Sequence, residues 1–364
     1  MAVDRPDRRR MLARLAAGAA AAIVPAPTWA EVGAPAFLAA ARDPSGAYAL
    51  CGLRADAEIA FHVPLPARGH AAAAHPARPE AVAFARRPGT FALVLDCRSG
   101  AVAHRIEAPA GRHFYGHGAF LDGGRVLATT ENAFESGEGR VGFWDAARGY
   151  RRLGEVPSGG IGPHETLRLP GTEVLAVANG GIRTHPARDR EKLNLPEMRP
   201  SLAYLEDGTV VQMVELPPDL RQASIRHLAA RADGTVAMAL QWEGDAGRTV
   251  PLLALHRRGE APRLLAAAEA EQAALMGYAG SVAWSGDGAR VAITGPRGGA
   301  AHVFAPGDPA AAPEIVRRPD VCGVAPAGDG LAFTDGLGGV LCPDGARRHA
   351  LAWDNHLVAV GAAG

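Results

Sequence analysis

The chain has 364 residues, and its 38 Lys+Arg offset 38 Asp+Glu for a formal net charge of +0. Holding DNA or RNA by counterion release calls for a basic excess, so the balance argues against nucleic acid as a partner. Hydrophobic residues at 48% against 21% charged exclude a disordered chain, and Gly 45 with Pro 28 fit many short strands separated by turns.

Residues 1–30 read as an export signal rather than as part of the fold. Arg8-Arg9-Arg10-Met11-Leu12 precedes an Ala-rich apolar run over 15–24, and Thr28-Trp29-Ala30 places small residues at the two positions signal peptidase reads. The run is shorter than the ~20 residues a membrane-spanning helix takes, so no membrane insertion is expected after cleavage. The pattern resembles twin-arginine signals, which carry folded proteins, with Met11 and Ala13 as looser matches. It implies a periplasmic protein. No Cys follows the run closely, which argues against a lipid anchor.

From residue 31 onward the chain reads as short apolar strands punctuated by Gly-containing turns. Segments 36–40, 47–52 and 58–63 supply three strands that lack an innermost partner. Segments 70–74, 80–85, 91–95 and 101–107 make the first complete four-stranded unit. The clearest unit follows: 118–121, the turn Asp122-Gly123-Gly124, 125–130, a loop over 131–140, then 141–144 and 150–156. Four antiparallel strands in about 45 residues is the size of one propeller blade. Further units occupy 164–169, 173–178, 201–205 and 210–216; 225–230, 235–241, 251–255 and 262–266; 281–284, 289–294, 302–305 and 314–317; and 323–325, 331–334, 339–341 and 348–351. The leftover strand 356–360 is of the innermost kind. It completes the first unit, so the expected fold is all-β: a seven-bladed β-propeller over 31–364, its first blade closed by both termini. Closure removes free sheet edges. One long interruption, 179–200, contains the sole lysine, Lys192, and reads as a lid on one face.

Aligning the innermost strands brings out one repeated feature. Gly69-His70-Ala71-Ala72, Gly116-His117-Gly118-Ala119, Pro163-His164-Glu165-Thr166, Arg226-His227-Leu228-Ala229 and Asn355-His356-Leu357-Val358 match, while the other two blades carry Ser281 and Gly323. His70, His117 and His164 are spaced 47 residues apart. Innermost strands line the central channel, so these five side chains are expected to converge at one mouth. Neutral imidazoles so placed suit iron, copper or zinc, each donating through one ring nitrogen. Crowding disfavours the imidazolium and so favours the ligating form. Glu165 offers a carboxylate to the same site.

A structural reading competes. In WD40 propellers a Gly-His pair bonds within its own blade near a Trp-Asp dipeptide, and Gly116-His117 with Trp144-Asp145 fits that pattern. The other third strands end Leu95-Asp96, Leu205-Glu206 and Leu255-His256, so the pattern is complete in one blade only. Asn179, His185 and Trp242 are expected on the same face as further binding candidates, with Arg112, His113, Phe114, Tyr115, Glu131, Asn132 and Arg183. His62, His75, His104, His256, His302 and His349 are expected to be solvated. Cys51, Cys97, Cys322 and Cys342 show no CxxC, CxxCH or zinc spacing, which excludes covalent haem and thioredoxin-like chemistry. No nucleotide-binding or nucleophile-elbow motif is present.

The segments GHGAFLDGG, LATTEN, GIGPHE, VANGGIRTHP and KLNLPEMRPSL between 116 and 202, with ARRPGTFALVLD upstream and the terminal WDNHLV, resemble domain-of-unknown-function family 1513. That resemblance implies an exported bacterial propeller encoded near imelysin-like iron-uptake proteins, and it brings no established activity. The reading expected is a periplasmic, non-enzymatic propeller that binds iron or another transition metal at its histidine mouth and serves iron uptake, with an imelysin-like partner. The alternatives are a metal-dependent oxidoreductase or lactonase-like hydrolase at the same mouth, and a protein-interaction platform built on 179–200.

Overall fold

The computed structural model describes residues 27–86, 89–189, 191–308 and 310–361. Residues 1–26, which hold most of the expected export signal, lie outside that set. The remainder forms seven four-stranded antiparallel sheets arranged as a propeller. The inner strands are Ala352–Ala359 (blade 1), Gly69–Ala74 (blade 2), Arg112–Leu121 (blade 3), Pro163–Arg168 (blade 4), Ala223–Ala230 (blade 5), Ser281–Trp284 (blade 6) and Val321–Ala327 (blade 7). Each packs against the inner strands of both neighbouring blades, so the ring is closed.

Both termini build blade 1. The strand Ala352–Ala359 pairs antiparallel with Phe37–Arg42, with Phe37 opposite Ala359 and Leu38 opposite Val358. Apolar residues from both chain ends then fill the seam with blade 7: Phe37, Ala39 and Cys51 against Cys322, Val340, Trp353 and Leu357. Seven strands meeting at one axis leave little room for side chains, which accounts for the small residues Ala71, Ala73, Ala119, Ala229, Ala283 and Ala325 along the inner strands. Outermost strands alternate instead. Thr209–Glu215 of blade 4 turns Val211 and Met213 to solvent and buries Val214.

Two local expectations are corrected. The expected loop 131–140 is mostly strand: Val126–Ala133 and Glu138–Asp145 continue the hairpin and leave only 134–137 as its turn. Its polar residues are buried with dedicated partners. Glu131 takes both Arg152 amino groups at 2.8 and 2.9 Å, and the Asn132 amide lies 2.9 Å from His113 Nε2. The last outer strand is Gly345–Arg348 rather than 348–351, because Cys342 faces Gly345 across the tight Pro343-Asp344 turn. A short helix, Glu269–Ala274, lies between blades 5 and 6; its Gln272 amide donates to the Val250 carbonyl at 2.9 Å.

At the start of the described chain, Trp29 heads a single helical turn. Its indole N–H donates to the His75 carbonyl at 2.9 Å, and Trp29 and Val32 pack with Leu38 and Leu50. The interruption 179–200 folds onto the propeller rather than away from it. Gly180 and Gly181 bond the carbonyls of Gly162 and Ile161, Gln222 donates to the Leu195 carbonyl, and Lys192 pairs with Glu243. Among the described residues no helix is long and apolar enough to cross a membrane.

Candidate functional site

Four of the five histidines fall inside breaks of strand pairing, and His227 directly follows one. Pairing of the first two strands shifts register between Gly69 and Ala72, Phe114 and Gly118, Pro163 and Glu165, and Ile225 and His227. In blade 1 a shift between Ala39 and Ala41 falls opposite the stretch holding His356. A β-bulge re-aims the side chains in and beside it, and these breaks fall at the positions whose rings face the axis. Blade 7 has a similar shift, but the Sγ of its Cys322 sits 3.3 Å from the Asp354 carbonyl. Blade 6 pairs regularly from Ser281. Gly116 is dictated by this packing. Its φ is +99°, and a Cβ there would stand 2.5 Å from His70 Cδ2.

The rings converge. Centroid separations are 4.7 Å for His70–His356 and His227–His356, 4.8 Å for His117–His356 and His164–His227, 4.9 Å for His70–His117 and 5.0 Å for His117–His164. His117 Nε2 lies 3.2 Å from His70 Nε2. Two imidazoles bound about 2.0–2.1 Å from one ion have nitrogens about 3 Å apart, so this spacing matches an edge of a coordination polyhedron. Two triads, His70–His117–His164 and His117–His227–His356, each bring ligand atoms within 4.8 Å of one another and share His117.

Burial sets the charge state. It holds His70, His117, His164 and His356 well below the ordinary histidine range and His227 at about 3, with neighbouring rings and Arg226 adding to the effect. Neutral rings keep the lone pair that a metal needs. Glu165 organises two of them: its carboxylate lies 3.0 Å from His227 Nδ1 and 3.7 Å from His117 Nδ1, and accepts from the Leu228 N–H at 3.1 Å. Both contacts are through Nδ1, leaving Nε2 as the donor atom. Burial raises the Glu165 pKa. His70 Nδ1, His164 Nδ1 and His356 Nε2 are buried without a hydrogen-bond partner, an arrangement costly enough to call for an explanation.

Except for the half-buried His164, these rings do not stand in the open mouth that the sequence predicts. They lie inside the propeller, with His117 4% and His227 3% exposed. From the opposite end of the inner strands a funnel of about 630 Å³ leads down to them. Its floor is His117, Glu165, His227 and His356.

The WD40-type bond network of blade 3 does not form. The Trp144 indole donates to Thr129 Oγ1 at 2.9 Å, Thr129 bonds Glu131, and His117 turns to the axis instead. Of the remaining candidates Tyr115 reaches the cluster, its ring centroid 6.5 Å from that of His164, whereas Asn179, His185 and Trp242 do not. Asn179 is wholly buried and binds Ser158 at 2.7 and 3.1 Å, stitching two loops together. His185 edges onto Phe134 and stands 3.4 Å from Glu135, and the Trp242 indole donates to the Asp245 carbonyl at 2.7 Å. Arg226 beside His227 is the residue that sequence reading passed over. A cation within an apolar inner strand was the available signal. Three histidines expected in solvent are instead buried: His75 accepts from the Ala77 and Arg78 amides, His256 bridges Tyr204 and the Glu260 carbonyl, and His302 packs on Phe304. All four cysteines are free and buried, and burial pushes Cys51, Cys97 and Cys322 up to about 12.

Fold and site together define a seven-bladed propeller with a histidine cluster on its axis. The chain belongs to the family described as "Protein of unknown function (DUF1513)", whose model matches residues 63–360. No curated protein matches the sequence. Among solved structures it is similar to hydrazine synthase of Kuenenia stuttgartiensis at 11% identity and TM-score 0.58, over 91% of this chain and 97% of that one. A chain of a nidogen/laminin complex aligns at 13% identity and TM-score 0.48, over 89% of this chain and 98% of that one. The hydrazine synthase likeness concerns fold alone.

Proposed function

We propose that this protein is a periplasmic propeller that binds a transition metal, iron first among the candidates, at the axial cluster of His70, His117, His164, His227 and His356, as an accessory to iron uptake. One observation carries the reading: five imidazoles from five blades converge on the axis as two triads at ligand spacing, and three of the five rings each keep a buried nitrogen without a hydrogen-bond partner. A set of bulges serving only local packing would tie each ring to its own blade. Neutral imidazole suits iron, copper and zinc alike, so the donor set supports the class of metal and the family context supports iron. The Glu165 hydrogen bond to His227 Nδ1 is the kind of outer contact that orients metal-bound histidine, and its other oxygen stands 3.7 Å from His117 Nδ1.

The test is calorimetric titration of metal-free protein with iron(II), copper(II) and zinc(II). A saturable heat that disappears in the H117A/H164A/H227A variant is expected. Absence of binding, or binding unchanged in that variant, overturns the proposal. Partnership with an imelysin-like protein belongs to the same reading, and pull-down with and without residues 179–200 tests it. An enzymatic role at the same cluster is favoured by one feature, the funnel that reaches three of the five rings.

A further inference from the structure

The two triads differ in what they face. His117, His227 and His356 form the funnel floor with Glu165, whereas His70 and His164 are not part of its lining. The walls above that floor are small and apolar, among them Ala119, Ala229 and Ala283. At about 630 Å³ the space holds far more than one water, whose share of liquid volume is about 30 Å³. A site of three histidines leaves a coordination position for a ligand from outside the protein, and here the open side of the triad is the side with room.

Charge narrows what that ligand is. Glu165 is the carboxylate in contact with these rings. Arg226, next to His227, is buried with its Nε donating to Gln241 Oε1 at 3.3 Å. Asp354 is shared between Arg68 at 2.5 Å and Arg86 at 3.8 Å, so it brings no spare negative charge to the cluster. Glu243, which also acts on Arg226, is paired with Lys192, so a divalent ion added there has Glu165 as its one uncommitted carboxylate, which leaves two positive charges uncompensated in a buried setting. Such an excess is costly unless paired. The funnel rim carries Arg168 and Arg231 together with Asp287, so it does not bar an anion.

Resting on the metal reading above, we infer that the ion held by His117, His227 and His356 takes a small anion from solution as an additional ligand, and that the anion reaches it through the funnel. The anion fills the open position or displaces a bound water; no electron is transferred. Metal capture is then coupled to anion supply.

The experiment loads full-length protein with copper(II) and titrates sodium azide, reading the azide-to-copper charge-transfer absorption. A saturable band is expected. In A119F/A229F, which narrows the funnel without touching a ligand, copper content should be unchanged and the band lost. In R226Q, copper should bind more tightly and azide more weakly. Circular dichroism checks that both variants fold, and either one alone keeps the test informative. Loaded wild-type protein without an azide band overturns the inference and leaves metal binding standing. A band unaltered in the folded variants overturns the funnel as the route. Failure to load copper at all removes the metal reading itself.

Discussion

Lowering the pH should destabilise metal-free protein through the histidine cluster, and the structure gives the size of the effect. The rings are neutral when folded because burial holds their pKa values below the ~6.5 of an unfolded histidine, for His227 at about 3. The unfolded chain therefore binds more protons between those values. The stability tied to neutral rings is intact above about pH 6.5 and is lost as pH falls towards the folded values. Between pH 7.5 and 5.5 each such ring costs about 1.4 kcal/mol, or about 7 kcal/mol for five. The H70Q/H164Q/H356Q variant removes the three rings with unpartnered nitrogens and should lose about 4 kcal/mol less over that range. A chain of this length unfolds with an entropy of about 0.7 kcal/mol/K, so the difference is about 6 °C in Tm. Thermal melts in chelator at both pH values read it directly. His75, His256 and His302 titrate in both proteins and cancel. Equal pH sensitivity of the two proteins would refute the argument that these rings are buried and neutral.

Other outcomes follow from single contacts. E165Q keeps an acceptor for the Leu228 amide but weakens the hold on His227 and His117, and should lower metal affinity about 10- to 100-fold by calorimetry. G116A places a Cβ against the His70 ring at a positive φ, and should cost about 1–3 kcal/mol in denaturant melts while disturbing metal binding. Because His117 belongs to both triads, H117A should reduce metal affinity more than H70A or H356A does. Truncation after residue 351 removes the inner strand of blade 1 together with His356, exposes the edge of Phe37–Arg42, and should give aggregation on size-exclusion chromatography.

Much of the fold was legible because turn residues and apolar runs repeat in one order, and because 356–360 had no partner but the first three strands. The histidine cluster was legible for the same reason: position within a repeat fixes position around an axis. What escaped sequence reading was burial of polar groups. Glu131 and Asn132 looked like loop residues because their partners, Arg152 and His113, come from other strands. His256 looked solvated because the Tyr204 hydroxyl that meets it is 52 residues away. The depth of the five rings depended on bulges, which a strand pattern does not reveal, and Arg226 drew no notice because it adjoins a more conspicuous His227.

X-ray absorption at the metal edge, on iron- or copper-loaded full-length protein, addresses the central claim most directly. Outer-shell scattering from several imidazoles, with metal–nitrogen distances of about 2.0–2.1 Å, is the result expected. A spectrum dominated by oxygen ligands, or one unchanged when His117, His227 and His356 are replaced together, would contradict it.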